Sequence, residues 1–184
     1  MKSTIALSSI IFTVGILSIP MVWSDNDFRW EKIGNKSSAL ATTTNPVYKE
    51  ECGSCHMAYP PGLLPAKSWN KLMSELEHHF EDNAELDVQT AQSISQYLLT
   101  NSAEQTHSRD AVKFFQSIES SQTPIRISDI PYFKHEHDEL PQRMVTKNPE
   151  VKSFSQCNAC HAEAEQGYFN EHEVNIPGFG QWDD

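Results

Sequence analysis

The sequence predicts a mainly α-helical chain, a helical N-terminal domain followed by a coil-rich C-terminal domain. Three observations lead there. Between residues 67 and 120 apolar side chains recur every three or four positions, and no segment alternates as a half-buried strand does. From Thr123 onward Pro124, Pro131, Pro141, Pro149 and Pro177 interrupt every run, so regular structure there is short. All four cysteines lie in two copies of one pentapeptide, Cys52-Gly-Ser-Cys55-His56 and Cys157-Asn-Ala-Cys160-His161, one in each part.

Taken in order, the chain opens with Lys2 and an apolar stretch from Ile5 to Val22, and charge begins at Asp25. That is the layout of a secretory signal peptide over 1–24. The competing reading is an uncleaved membrane anchor, since the stretch approaches the roughly 20 residues that cross a bilayer. Pro20 and the Ser24 exit favour cleavage. Both readings put the folded part outside the cytoplasm, which in a bacterium is the periplasm. Residues 25–44 form an N-terminal extension, 45–101 the first domain, 102–122 a helical linker and 123–184 the second domain.

Within the first domain, Lys67–Asp82 carries Trp69, Leu72, Met73, Leu76 and Phe80 in one helical stripe, with Ser68 as its cap. Asp87 caps a second helix from Val88 to Leu99 that turns Ala91, Ile94, Tyr97 and Leu98 inward. A third helix, Arg109–Ser120, presents Val112, Phe115 and Ile118. The polar run from Asn101 to Ser108 reads as a hinge. The 14 basic and 25 acidic residues leave a net charge of −11. That surface argues against nucleic acid and anionic membrane faces and suits a partner with a basic docking patch.

Cys-x-x-Cys-His is the attachment signature of c-type haem. On a helical turn, residues i, i+3 and i+4 share one face, so both thiols reach the haem vinyl groups while the histidine takes the iron. Cys52, Cys55, Cys157 and Cys160 therefore bind two covalent haem c groups, with His56 and His161 on the irons. An all-cysteine zinc site normally has closer knuckles and needs no histidine after each pair. A thioredoxin-like pair explains one such motif, not two, and disulfides leave both histidines as coincidence. The first domain then has the plan of a class I cytochrome c-like helical domain holding haem 1. The coil-rich domain would use haem 2 as a substitute for a core too small to stabilise it alone.

The sixth iron ligand separates electron transfer from catalysis. On a helical wheel His79 flanks the apolar stripe of Lys67–Asp82, whereas His78 faces water. His79 is the first choice for haem 1, and Met73, also on the apolar face, is the alternative. For haem 2 the segment from Tyr132 to Leu140 is decisive. If it is helical, Phe133, His137 and Leu140 share a face; if extended, His135 and His137 do. His172 is the other candidate, and His107 sits in the polar hinge. On the proximal side, His56 Nδ1 is expected to meet a carbonyl between Pro60 and Leu64, where two prolines leave carbonyls free.

Four stretches carry a family resemblance: Glu51-Cys-Gly-Ser-Cys-His-Met-Ala-Tyr-Pro-Pro-Gly-Leu-Leu-Pro65, His79-Phe-Glu-Asp-Asn-Ala-Glu-Leu-Asp87, Arg126-Ile-Ser-Asp-Ile-Pro-Tyr-Phe-Lys-His-Glu-His137-Asp-Glu, and Cys157-Asn-Ala-Cys-His-Ala-Glu-Ala-Glu-Gln-Gly167 running on to Ile176-Pro177. They resemble the bacterial dihaem cytochrome c family that serves as redox partner to a small monohaem oxygen-binding cytochrome. The resemblance implies two histidines on each haem, which by position favours His79 and His137. It also implies an electron-transfer protein, not an enzyme, that passes electrons to a periplasmic monohaem cytochrome. A membrane b-type cytochrome or quinol oxidiser would supply them. Paired imidazoles leave no open coordination position, and histidine in place of methionine lowers the reduction potential. The alternative class is a dihaem peroxidase or small-molecule reductase with one open haem and Glu136 or His135 beside it.

Overall fold

The computed structural model describes residues 39–182. The signal peptide expected over 1–24 lies outside them, as does the extension up to residue 38. Helix α1, Pro46–Cys52, starts where the Asn45 side chain accepts from the Tyr48 N–H at 2.9 Å and proline occupies the first turn. Helix α2 spans Ala66–Met73. The expected helix over Lys67–Asp82 is thus shorter and is followed by a separate 3-10 turn, Leu76–His78. Ser68 is not its cap: it is fully buried inside α2, and Pro65 precedes the helix. The helix ends at Ser74, whose N–H still donates to the Asn70 carbonyl at 3.1 Å, and Glu75 leaves the helical region at φ −126° and ψ 27°. Farther on, Phe80 and Glu81 take left-handed φ of 52° and 81°, so no helix resumes through them, and the Ala84 N–H donates to the Leu76 carbonyl at 2.9 Å.

Helix α3, Val88–Thr100, follows its expected course, with Asp87 Oδ1 accepting from the N–H groups of Gln89 and Thr90. Helix α4, Arg109–Ser117, is capped by Ser108, whose Oγ accepts from the Ala111 N–H. Its buried face carries Ala111 and Phe114, while Phe115 is 40% exposed, so the expected stripe of Val112, Phe115 and Ile118 is out of phase by one residue. Phe114 takes the inward place because its ring meets Tyr132 edge-on at 5.1 Å. Helix α5, Pro131–Glu136, opens on proline.

Beyond it come 3-10 turns at Cys157–Ala159, Ala164–Gln166 and Glu171–Glu173. The antiparallel pair β1 (Asn175–Ile176) and β2 (Gly180–Gln181) sets Asn175 opposite Gln181. Among the described residues the fold is therefore mainly helical, as the sequence predicts. No helix among them is long and apolar enough to cross a membrane.

Two apolar clusters organise the packing. The larger joins Leu63, Leu64, Trp69, Ile94, Leu98, Ala111, Phe114, Ile130, Tyr132 and Phe133. Residues 102–122 share in it: Ser102 and Ala103 are buried, and the Ala103 N–H donates to the Leu64 carbonyl at 3.0 Å. The smaller cluster holds Met144, Val145, Val151, Val174 and Ile176, and Phe154 packs against both. Leu40 ties the start of the described chain to its end, donating from its N–H to the Gly167 carbonyl at 2.9 Å.

Candidate haem centres

Cys52 closes α1, and the turn that follows brings Cys55 and His56 round behind it. The turn needs glycine at position 53, because a Cβ there would stand 2.2 Å from the Lys49 carbonyl oxygen. His56 Nδ1 lies 2.8 Å from the Met57 carbonyl oxygen, not from a carbonyl between Pro60 and Leu64 as expected. Both proline carbonyls of that stretch are taken. Pro60 accepts from the Leu63 N–H, and Pro61 accepts from the Leu64 N–H and from Trp69 Nε1 at 2.8 Å. A proton on Nδ1 donated to Met57 leaves the lone pair on Nε2, the arrangement a metal-binding imidazole requires.

His79 follows the 3-10 turn, and its carbonyl accepts from the Asp82 N–H at 3.0 Å. Its ring faces that of His56, with centroids 6.3 Å apart. Burial, then the neighbouring His56, lowers the His79 pKa from its ordinary value, which favours the neutral ring. The helical wheel cannot explain this placement, since α2 has ended at Met73; the turn at Phe80 and Glu81 does. His78 is 80% exposed beside Glu77. Met73 lines a groove between α2 and α3 with Leu76, Leu86 and Leu99. The Arg126 guanidinium lies over the Phe80 ring, 3.9 Å from its centroid.

The second motif is held differently. Cys157 opens a 3-10 turn whose carbonyl accepts from the His161 N–H at 2.8 Å, and the Asn175 N–H donates to the Cys160 carbonyl at 3.0 Å. His137 comes directly after α5 and stacks on Phe133, four residues back, with centroids 3.9 Å apart and planes within 8°. Its Nδ1 is 2.8 Å from the Phe133 carbonyl oxygen, one of the last of the helix. The centroids of His137 and His161 are 6.2 Å apart.

The segment is helical only as far as Glu136, so His137 and Leu140 lie beyond α5, while His135 sits exposed on it. His172 is 70% exposed beside Glu171, and His107 is exposed. Burial first, then His137, pushes the His161 pKa down to about 4, and its Nδ1 is buried with no hydrogen-bond partner. The cleft around this pair is walled by Val145, Val151, Phe154, Phe169, Val174 and Ile176 and includes both Cys157 and Cys160.

These residues fit two haems. A single metal between two imidazole nitrogens, each about 2 Å away, sets the ring centroids roughly 6 Å apart. Both histidine pairs have that spacing. The cysteines form no disulfide, and among the described residues no group of three or more His, Cys, Asp or Glu is placed to hold a metal ion. The dihaem cytochrome c family model matches residues 48–169. The chain belongs to that family.

Solved structures agree with this assignment. A diheme cytochrome c from Shewanella baltica OS155 is 46% identical over 76% of this chain and 98% of its own, with a TM-score of 0.63. A diheme cytochrome c from Rhodobacter sphaeroides is 42% identical over 71% of this chain and all of its own, also with a TM-score of 0.63. No protein of curated function matches the chain. This dihaem cytochrome c binds two haem c groups and is an electron-transfer cytochrome. Bound haem iron supplies a one-electron couple.

Several residues around the centres had no sequence signal. Tyr59 stacks on His56 at 4.5 Å, and Phe154 meets both Phe133 and His137 edge-on, at 5.6 and 5.8 Å. Phe169 approaches His161 at 5.4 Å. Apolar and aromatic side chains read as generic core until the fold shows what they touch.

Proposed function

We propose that His56 and His79 bind one iron and His161 and His137 the other, with thioethers from Cys52 and Cys55 and from Cys157 and Cys160. The paired imidazoles, 6.3 and 6.2 Å between centroids, carry this reading. The chain's part is to hold four rings in fixed orientation. Met57 and Phe133 carbonyls fix one ring of each pair. Such second-sphere bonds raise the basicity of the ligand and favour the ferric state, and so a low reduction potential. Filled coordination leaves no place for substrate, so the protein relays single electrons and is not an enzyme.

The leader-like N-terminus supports a periplasmic location. The net charge of −11 supports a basic docking face on the partner, a periplasmic monohaem cytochrome in the family's pattern, with a membrane b-type cytochrome as donor.

Carbon monoxide tests the ligand set. The ferrous spectrum should stay unchanged by the gas, and the ferric protein should be low-spin throughout. Replacing His79 with alanine should open one haem alone, and replacing His137 the other, while His78→Ala changes neither. Rapid carbon monoxide binding by the unsubstituted protein would overturn the reading in favour of a peroxidase or reductase with one open haem.

A further inference from the structure

Tyr59 reaches from one centre to the segment that leads into the other. Its ring lies nearly parallel to that of His56, with centroids 4.5 Å apart and planes within 19°. Its hydroxyl donates to the Ser155 carbonyl at 2.7 Å, across 96 residues of sequence. Ser155 is two residues from Cys157, the first cysteine of the other motif. The Tyr59 backbone is itself held, since its carbonyl accepts from the Tyr48 hydroxyl at 2.9 Å and Pro60 follows it. A half-buried tyrosine needs one partner for its hydroxyl, and a solvated serine side chain or water would serve. Here the partner is the backbone strand that leads into the second haem attachment, and the other end of the side chain rests on a ring assigned to the first iron.

We propose that Tyr59 is the bridge through which electrons pass between the two haems. The inference rests on the reading of His56 as an axial ligand. One electron leaves the ferrous iron of one centre and reduces the ferric iron of the other; no bond forms or breaks, and the phenol keeps its proton. The stacked ring couples to the His56 imidazole, and the hydrogen bond continues the path through Ser155 and Gln156 to the Cys157 thioether. A purely structural role for Tyr59 would need neither contact to be oriented this way, and it predicts no effect on rate once both haems are in place.

The test uses the holoprotein. Pulse-radiolytic reduction of the fully oxidised form is followed by redistribution of the electron between the haems, read at wavelengths that separate them. Spectroelectrochemical titration gives both potentials, and electron paramagnetic resonance gives the ligation. Tyr59→Leu should slow redistribution by about tenfold or more, with both potentials and both low-spin signals kept. Tyr59→Phe, which keeps the ring and loses the hydrogen bond to Ser155, should fall between the two.

An unchanged rate in Tyr59→Leu overturns the proposal, as does a slowing that a shifted potential fully accounts for. Should Tyr59→Leu fail to take up two haems, Tyr59→Phe decides: a slower rate supports the bridge and an unchanged one overturns it. Carbon monoxide binding by the unsubstituted protein would instead break the ligand reading, which keeps the two failures apart.

Discussion

The two halves of the molecule hold their haems by different means. Among the described residues up to Glu136 there are five α-helices whose side chains make a continuous core, with Trp69, Ile94 and Leu98 almost wholly buried. After Glu136 the described residues form one-turn 3-10 segments and a two-residue ladder, around a cluster of five buried apolar side chains. His56 and His79 therefore stand on the flank of a structure that side chains already stabilise. His161 and His137 line a cleft walled on one side by Phe114, Tyr132 and Phe133 of the larger cluster and on the other by the few side chains of the smaller one. An apolar group as large as a porphyrin does for the second half what α2, α3 and α4 do for the first.

The largest effect should come from removing each attachment in turn. Cys157→Ala with Cys160→Ala takes away the group around which residues 137–182 are arranged. Hydrogen exchange followed by mass spectrometry should show protection collapsing across that region while α2, α3 and α4 stay protected. Cys52→Ala with Cys55→Ala should leave most helical protection in place. Equal losses from the two pairs would erase the distinction between the halves.

Single core truncations probe the same contrast on a smaller scale. Ile94 is 0% exposed at the centre of the larger cluster. Ile94→Ala should cost about 2–5 kcal/mol of unfolding free energy, from lost transfer energy plus an unfilled cavity. Val145→Ala, in the smaller cluster, should cost about 1–2 kcal/mol, because fewer methyl groups leave and fewer side chains surround the gap. Denaturant titration of the holoproteins reads both. A Val145 effect as large as that of Ile94 would mean that the second half owns a true side-chain core.

Local signals in the sequence were legible and distant ones were not. The cap at Asp87, the start of α3 and the two pentapeptides are short-range features, and the cap needs only a carboxylate within three residues of an N–H. The end of α2 was not legible, because no glycine or proline follows closely on Met73, and the left-handed turn at Phe80 and Glu81 that places His79 has no glycine to announce it either. The inward face of α4 hung on a choice between Phe114 and Phe115 that only the ring of Tyr132 makes. The carbonyl that meets His56 depended on which proline carbonyls other donors had already claimed. Tyr59 found its partner 96 residues away. No periodicity reveals such a contact.

Gly167 joins the halves and gives a finer test of how they are sewn together. Its φ is 84°, and a Cβ there would stand 2.3 Å from the Leu40 carbonyl oxygen. Gly167→Ala must therefore strain the backbone and push away the strand whose Leu40 N–H donates to the Gly167 carbonyl. The expected cost is about 1–3 kcal/mol. Gly180, at φ 88° with nothing within 4 Å of the point a Cβ would occupy, isolates the backbone component, and Gly180→Ala should cost about 1 kcal/mol. Thermal unfolding of the two variants compares them directly. Equal shifts would mean that Leu40 yields without cost.

The smallest effect is a pH dependence at the seam between the halves. Asp110, on α4, has a side chain only 14% exposed and lines the second cleft with Glu136 and Glu171. Burial raises its pKa; Arg109 and Lys113 pull it back, while Glu136 and Glu171 push it further up. A carboxyl whose folded pKa is raised keeps its proton longer in the folded chain than in the unfolded one. Between the ordinary carboxylate pKa and the raised folded value, the folded state binds more protons, so stability falls as pH rises through that window. Asp110→Asn carries no ionisable proton, and it should flatten this part of the stability–pH curve and gain relative to the parent on the alkaline side. Urea unfolding of the holoproteins at a series of pH values gives both slopes. Identical slopes would mean that the carboxylate is solvated at the seam, and that the two halves open there more readily than their packing implies.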